Sequence, residues 1–127
     1  MSKQIINTAS APAPIGPYSQ SVKAGGFLFI SGQIAINPAS GNVEANTIEE
    51  ETHQAMKNIA AILTEAGLDF SAVVKTTIFL TDMALFGAVN EVYAVYLTGN
   101  YPARETVAVK GLPKGVNVEI SMTALAG

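Results

Sequence analysis

The chain has 127 residues, of which 49% are hydrophobic and 13% are charged, and its formal net charge is -3. This length predicts one domain spanning residues 1–127, with a core large enough to be stable without cross-links. The acidic balance and the lack of a basic run argue against nucleic acid as a partner, because phosphate backbones are bound by clustered lysine and arginine. Cysteine is absent, which excludes disulfides, thiolate nucleophiles and cysteine-ligated metals.

The apolar composition also predicts a homo-oligomer, since such a chain exposes more hydrophobic surface than a monomer usually tolerates. No stretch is long enough to cross a bilayer, and residues 1–6 lack the apolar core of a secretion signal. We therefore expect a cytoplasmic protein without a membrane partner. His53 is the only histidine. It is predicted to be a solvated helix residue, and its isolation argues against a metal site and against a Ser-His-Asp triad.

The N-terminal region predicts a loop followed by a β-hairpin. Residues 9–18 contain three prolines, which favour an extended loop. Residues 19–24 and 27–31 flank Gly25 and Gly26, a pair typical of hairpin turns. The second of these strands is apolar on both faces, so both faces must be covered. A turn-rich connection follows at 37–42.

A first helix is predicted to begin after Thr47 and to end at Gly67. Thr47 and Glu50 have the spacing of a capping box, in which each side chain satisfies a free backbone N–H at the start of the helix. Glycine is favoured just past a helix end, where the backbone turns left-handed. The apolar positions recur at helical spacing; they are Ile48, Ala55, Ile59, Ile62, Leu63 and Ala66.

The second half of the chain predicts a strand at 73–81, a second helix and two further strands. The strand is rich in β-branched residues. Asp82 is the predicted N-cap of the helix, whose end lies before Gly99. Its buried stripe is predicted to consist of Phe86, Val89, Tyr93, Tyr96 and Leu97. The element order β-β-α-β-α-β-β predicts an α+β sandwich with two helices packed on one face of a sheet. Its other face is then open to another subunit.

Arg104 is the only arginine, although the chain has six lysines. Its planar fork of donors grips carboxylates and phosphates bidentately, which lysine cannot do. Arg104 opens a predicted strand at 104–109, and a turn at 110–115 leads to a last strand at 116–125. If these strands form a hairpin that buries its apolar residues together, Arg104, Thr106 and Glu119 share one face. Thr106 would oppose Glu119, and Arg104 would lie on the diagonal, about 7–8 Å away.

Two interpretations of this pair remain open from periodicity. Arg104 and Glu119 either form a salt bridge on a wet face, or they flank a small carboxylate ligand. In the second case Arg104 holds the ligand, and Glu119 faces its reactive carbon through a water molecule. A polar patch on an apolar sheet, at an expected subunit boundary, is a place where a small pocket forms.

Several motifs along the whole chain resemble those of the Rid family of reactive-intermediate deaminases, also described as YjgF-like or L-PSP proteins. They are APIGPYSQ at 13–20, FISGQ at 29–33, VVKTTIFLTD at 73–82, VNEVY at 89–93, YPAR at 101–104, and LPKG at 112–115 leading to VEI at 118–120. The resemblance implies a chorismate-mutase-like fold with a mixed sheet. It also implies a homotrimer around a central barrel of sheets, with ligand clefts at the subunit interfaces.

The activity that the resemblance implies is hydrolytic deamination of 2-imino acids and their enamine tautomers. The substrates would be 2-iminobutanoate and 2-iminopropanoate, the latter formed from 2-aminoacrylate, and the products would be a 2-keto acid and ammonia. Such an enzyme protects pyridoxal-phosphate enzymes and needs no cofactor. A protonated imine is already electrophilic, so orientation, one water molecule and a nearby carboxylate are sufficient.

The resemblance also implies roles for individual residues. Arg104 would hold the substrate carboxylate, and Glu119 would position or activate the attacking water. The residues that would line the pocket are Tyr18, Ser31, Gly32, Asn90 and Thr106. Some family members carry cysteine at the position of Thr106, so activities that depend on that thiol are not expected here.

Two other functions remain as alternatives. A non-catalytic regulator that binds a small carboxylate would need Arg104 but not Glu119. A ribonuclease or translation inhibitor, a role attributed to some family members, would need an electrostatic path for RNA, which an acidic chain with one arginine does not predict.

Overall fold

The computed structural model describes residues 2–127 and contains one six-stranded mixed sheet with two α-helices. The strands follow the order β1-β2-β3-β8-β6-β7 across this sheet, and β4 pairs with β5 in a separate small hairpin. The strands are β1 Gln4–Ile6, β2 Ser21–Ala24, β3 Phe27–Gln33, β4 Ile36–Asn37, β5 Asn42–Val43, β6 Val73–Leu80, β7 Ala103–Ala108 and β8 Val118–Leu125, and the helices are α1 Ile48–Glu65 and α2 Phe86–Val95.

The core lies between the two helices and one face of the sheet. Every second residue of β8 from Val118 to Ala124 is buried, as the period-two alternation of a half-covered strand requires. These residues pack against the apolar stripe of α1, in which Ala55, Ile59 and Ile62 are fully buried. The prediction of an α+β fold with both helices on one face is confirmed. Within residues 2–127, no helix is both long enough and apolar enough to cross a membrane.

The ends of α1 form as the sequence predicts. The Thr47 hydroxyl accepts a hydrogen bond from the Glu50 backbone N–H at 3.1 Å. The Glu50 carboxylate accepts in return from the N–H of Asn46 at 2.7 Å, one residue before the expected partner. Gly67 follows the helix with φ of 76°, the left-handed conformation that glycine adopts without strain.

The start of α2 differs from the prediction. Asp82 accepts a hydrogen bond from the Ala84 N–H at 2.9 Å, but it thereby caps a short 3-10 turn that precedes α2. Val89 and Tyr93 of the predicted stripe are buried, whereas Phe86 is 37% exposed. The cause is the position of α2 at the edge of the sheet, where its first turn is left partly uncovered.

The predicted C-terminal hairpin is wrong. β7 lies parallel to β6 at the edge of the sheet, and β8 is antiparallel to β6 on its other side, so β6 separates the two strands. Thr106 is opposite Ile78, and Glu119 is opposite Phe79. The physical reason is that α2 makes a crossover connection, which returns the chain beside β6 in the same direction. The loop after β7 then passes over β6 before β8 enters the middle of the sheet.

The face of the sheet that the helices leave open carries several exposed apolar side chains. It exposes Phe27, Phe29, Val107 and Leu125, each between 38% and 52% exposed. Their cross-strand partners place all four on this face: Phe27 is opposite Leu125, and Val107 is opposite Phe79. The two-sided apolar pattern of the second predicted strand therefore corresponds to a strand with one buried and one open face.

Helix α1 also holds the segment that follows β3 by a buried polar contact. The amide of Asn58 donates to the carbonyl oxygens of Ile34 at 3.1 Å and Ile36 at 3.0 Å. Asn58 is only 1% exposed. Two backbone acceptors that have lost water are thus satisfied by one side chain.

We predict that Asn58→Ala lowers the free energy of unfolding by about 2–4 kcal/mol, because two buried carbonyls lose their donor. The matched control is Gln54→Ala. It removes the amide that donates to one acceptor, the Asn58 side-chain oxygen, at 2.9 Å, and should cost roughly half as much. Urea unfolding of both variants measures the difference; equal losses would contradict the assignment.

Candidate active site

The residues expected in the pocket fall into two separate clefts. The first, the Glu119 cleft, has a volume of about 420 Å³ and is lined by Pro12, Ile15, Tyr18, Ser31, Gly32, Gln33, Ile34, Ile36, Pro113 and Glu119. The second, the Arg104 cleft, has a volume of about 460 Å³ and is lined by Asn90, Tyr93, Ala94, Tyr101, Pro102 and Arg104. Four of the seven expected residues thus line one cleft and two line the other.

Arg104 and Glu119 point to opposite faces of the sheet, which corrects the expectation that they share one. Arg104 is opposite Thr76, a buried residue of the helix-covered face. Glu119 alternates with fully buried neighbours on β8 and therefore faces the open side. The Arg104–Glu119 salt bridge, one of the two interpretations left open by the sequence, does not form: among residues 2–127 the one ion pair joins Lys75 to Glu105, at 3.3 Å.

Glu119 is placed on the open face by strand alternation, in a partly desolvated position. Burial raises the pKa of its carboxyl above the ordinary value of 4.5. None of the side-chain hydrogen bonds within residues 2–127 involves this carboxylate. A carboxylate with a raised pKa and free oxygens is suited to take up and return a proton.

Gly32 makes room for Glu119. A Cβ atom at this position would overlap the carboxylate oxygen Oε2 and would lie 2.8 Å from Cδ of the same side chain. Gly32 lies within a register shift between β3 and β8, between Ile30 and Gln33, and such irregularities redirect nearby side chains. The missing side chain therefore lets the Glu119 carboxylate lie against the backbone of β3.

Two hydroxyl groups in the Glu119 cleft differ in what they can still donate. The Ser31 hydroxyl donates to the carbonyl oxygen of Ser19 at 2.6 Å, so only its lone pairs remain for a ligand. The Tyr18 hydroxyl instead accepts from the Ile15 N–H at 3.3 Å and keeps its proton for a ligand. Tyr18 is 48% exposed, so its ring is accessible at the wall of the cleft.

The Arg104 guanidinium is held by three residues of α2. Its Nη1 donates to the Asn90 Oδ1 at 2.7 Å. Its Cζ lies 5.5 Å from the ring centre of Phe86 and 5.3 Å from that of Tyr93. A guanidinium within about 6 Å of an aromatic ring is attracted by the electron density of the ring face. Arg104 is thus ordered before any ligand arrives.

Thr106 lies on the same face of β7 as Arg104, two residues further along. It lines neither cleft. Its hydroxyl oxygen is buried and has no hydrogen-bond partner within residues 2–127. β7 is an edge strand with a neighbour on one side only. A ligand or a second chain at this edge could supply the missing partner.

The sequence assigned Tyr93 to the core, yet it also lines the Arg104 cleft. The sequence did indicate that Tyr93 lies beside Asn90 and Phe86, because positions 86, 90 and 93 lie on one face of a helix. A single arginine elsewhere in the chain could not be assigned to that face without knowing that β7 returns beneath α2. Within residues 2–127, no cluster of three or more histidine, aspartate and glutamate side chains is placed to hold a metal ion.

Comparison with known proteins agrees with this arrangement of elements. A family model described as Endoribonuclease L-PSP matches residues 8–126. The chain belongs to this family. A mouse member named 2-iminobutanoate/2-iminopropanoate deaminase is 47% identical over 125 residues, which cover 98% of this chain and 93% of the mouse protein.

Solved structures of similar proteins have the same fold. The Rid family protein YyfA from Yersinia pestis aligns with a TM-score of 0.95 and 48% identity, over 98% of this chain and 99% of that chain. Escherichia coli TdcF with bound serine aligns with a TM-score of 0.91 and 38% identity, over 96% of this chain and 98% of that chain. The likeness extends across nearly the full length in each case.

We predict that Gly32→Ala displaces the Glu119 carboxylate while leaving the fold intact. The overlap involves the free end of a flexible side chain, which can swing toward solvent, so the pKa of Glu119 should fall toward its ordinary value. Carboxyl-carbon NMR titration measures this. Gly111→Ala is the matched control, since a Cβ there meets nothing within 4 Å. An unchanged Glu119 pKa in Gly32→Ala would contradict the spatial role of Gly32.

We further predict that Glu119→Gln is more stable than the wild type at neutral pH. Burial raises the folded-state pKa of Glu119, so the folded wild type binds its proton more tightly than the unfolded chain does. The contribution of this proton to the free energy of unfolding is therefore fully present below the unfolded-state pKa and is lost as pH rises through the folded-state pKa. Glutamine is uncharged at every pH and does not lose this contribution. Chemical unfolding from pH 4 to pH 8 measures the difference between variant and wild type. A gain independent of pH would rule out carboxylate desolvation as its cause.

Proposed function

We propose that this protein hydrolyses 2-imino acids and their enamine tautomers to 2-keto acids and ammonia. The observation that carries the proposal is a pre-ordered guanidinium and a desolvated carboxyl, in a chain 47% identical to a protein named 2-iminobutanoate/2-iminopropanoate deaminase. Such substrates arise from pyridoxal-phosphate enzymes, which the activity would protect from reactive products. The cytoplasmic location expected from the sequence stays a prediction.

Arg104 would bind the carboxylate of the substrate. Asn90 uses one of the guanidinium's five N–H donors, which leaves enough donors for a bidentate contact. The likeness to a solved structure that contains serine, itself a small molecule with a carboxylate, supports this role. A fixed carboxylate also orients the neighbouring C=N carbon, which lowers the entropic cost of reaction.

Glu119 would transfer protons during the addition of water. Water attacks the carbon of the protonated imine, and its proton passes to Glu119 as the neutral carbinolamine forms. Glu119 then returns this proton to the amine nitrogen, the C–N bond breaks, and ammonia leaves. The hydroxyl group loses its proton as the C=O bond forms, and that proton is taken up by ammonia or solvent. Proton transfer by a positioned group contributes roughly 10²–10⁴-fold to such rates.

The complete site would form between two copies of the chain. One chain directs Arg104 and Glu119 to opposite faces, so one copy would supply the Arg104 cleft and a second would supply the Glu119 cleft. The exposed apolar residues of the open face support such packing. A chorismate-mutase-like homotrimer, with its open faces gathered in a central barrel and its clefts at the interfaces, satisfies this requirement.

The activity test couples a threonine dehydratase, which generates the imine, to keto-acid detection, with semicarbazide competing for the imine. Arg104→Ala should raise KM by roughly a hundredfold, since it removes a charge-assisted bidentate contact. Glu119→Gln should lower kcat by roughly 10²–10⁴-fold while the product keto acid still binds. Glu49→Gln, which removes an exposed acid from α1, is the matched control and should behave as wild type.

Refolding Arg104→Ala and Glu119→Gln chains together tests the shared site. With random mixing, about one quarter of interfaces would join an intact Arg104 to an intact Glu119, so about one quarter of wild-type activity should return. At substrate concentrations well below the KM of Arg104→Ala, each variant refolded alone should keep its low activity. A mixture as inactive as its components would contradict a site built from two copies.

Two alternatives are separated by the same variants. If the protein were a non-catalytic carboxylate-binding regulator, wild type would bind keto acids without accelerating imine hydrolysis. The family description raises an endoribonuclease function, and a translation-inhibitor role was left open by the sequence, but the net charge of -3 offers no electrostatic path for RNA. RNA cleavage by the pure protein that is lost in Arg104→Ala would favour that function.

A further inference from the structure

Tyr93 connects the Arg104 cleft to the buried sheet. Phe86, Asn90 and Tyr93 occupy one face of α2 and all contact the Arg104 side chain. Tyr93 differs from Phe86 in being only 5% exposed. Its ring is therefore fixed by packing, whereas the ring of Phe86 is partly free at the surface. A fixed ring can define the position of a guanidinium more narrowly than a mobile one.

The Tyr93 hydroxyl is itself anchored. It donates to the Thr76 hydroxyl at 3.0 Å, and Thr76 is fully buried on β6. Burial raises the pKa of the Tyr93 phenol, so the hydroxyl remains a donor at neutral pH. Thr76 is also the residue directly opposite Arg104 in the pairing of β6 with β7. The hydrogen bond to Thr76 thus ties the Tyr93 ring to the residue of β6 that pairs with Arg104.

We propose that Tyr93, anchored by Thr76, is a positioning residue that fixes the plane and place of the Arg104 guanidinium for carboxylate recognition. Asn90 holds one edge of the guanidinium by a hydrogen bond, and the Tyr93 ring restricts its remaining freedom. The positioning of Arg104 stands on the geometry of the chain. Its effect on imino-acid hydrolysis rests on the proposed function.

The lone arginine gives a direct measurement of positioning that needs no activity. Nitrogen-15 NMR shows one Nε–Hε signal per arginine, so the chain yields a single assigned signal. We expect this signal to be displaced by the ring currents of Phe86 and Tyr93 and to be rigid, with an order parameter near 0.85. A wild-type signal at the ordinary shift of free arginine, or an order parameter below about 0.6, would overturn the proposal.

Three variants separate positioning from general stability. Tyr93→Leu removes the ring and should return the Arg104 signal toward the free-arginine shift. Tyr93→Phe keeps the ring and loses only the bond to Thr76, so its signal should stay displaced. Tyr96→Leu removes a nearby tyrosine ring that packs against Phe70 and His53, and it should leave the Arg104 signal unchanged. If Tyr93→Leu does not fold, the order parameter of the Arg104 signal in Tyr93→Phe still decides: it should fall below the wild-type value because the Thr76 anchor is lost, and an unchanged value would overturn the proposal.

The kinetic arm compares an imino acid with an imine that lacks the carboxylate. Tyr93→Leu should raise KM for the imino acid by roughly three- to thirtyfold, the range of a lost cation–π contact. Hydrolysis of the carboxylate-free imine should change little, because that substrate does not engage Arg104. A loss shared equally by both substrates, or a Tyr93→Leu enzyme identical to wild type, would overturn the proposal.

The two arms distinguish failure of the inference from failure of the proposed function. If wild type does not hydrolyse imino acids, the proposed function fails. The positioning role is then tested by the NMR signal of Arg104 alone. If wild type is active and the Arg104 signal is rigid in Tyr93→Leu, the positioning role fails and the function stands.

Discussion

The position of β6 between β7 and β8 is the constraint from which the candidate site follows. Because side chains alternate along a strand, the pairing of two strands determines which face of the sheet each residue occupies. Arg104 opposite Thr76 must face the helices, and Glu119 opposite Phe79 must face away from them. A single copy of the chain therefore holds the two groups in separate clefts. The exposed apolar residues of the open face, which a monomer leaves in water, supply a physical reason to propose a second copy.

Helix α1 stabilises the Glu119 cleft from behind the sheet. The Glu51 carboxylate accepts from the backbone N–H and the side-chain amide of Asn117 at 2.8 and 2.9 Å, just before β8 begins. Asn58 holds the segment after β3 in the same manner. Both anchors are buried polar groups whose hydrogen bonds are satisfied, so they define backbone position rather than add apolar contact. The wall and the base of this cleft are thereby fixed to a single helix.

The sequence predicted local structure well because local rules decide it. The Thr47 cap, the Gly67 end and the buried alternation of β8 depend on neighbours a few residues away. Strand pairing is different. Alternation shows which residues of one strand share a face, but it does not show which strand lies beside it. A hairpin of β7 with β8 would have buried Val107 with the apolar residues of β8, but Val107 belongs to the open face because β7 pairs with β6. The role of Tyr93 was hidden for the same reason, as its contact with Arg104 depends on where β7 lies.

The separation of Arg104 and Glu119 also preserves the raised pKa and the free donors that their proposed roles require. If one chain placed them side by side, the guanidinium would lower the pKa of the carboxyl and occupy its own donors in an ion pair. On opposite faces, burial alone acts on Glu119 and its pKa is raised. The Arg104 fork meanwhile is held by Asn90 and two aromatic rings, none of which neutralises its charge. A base and an anion-binding group thus remain available for the site that we propose two copies of the chain share.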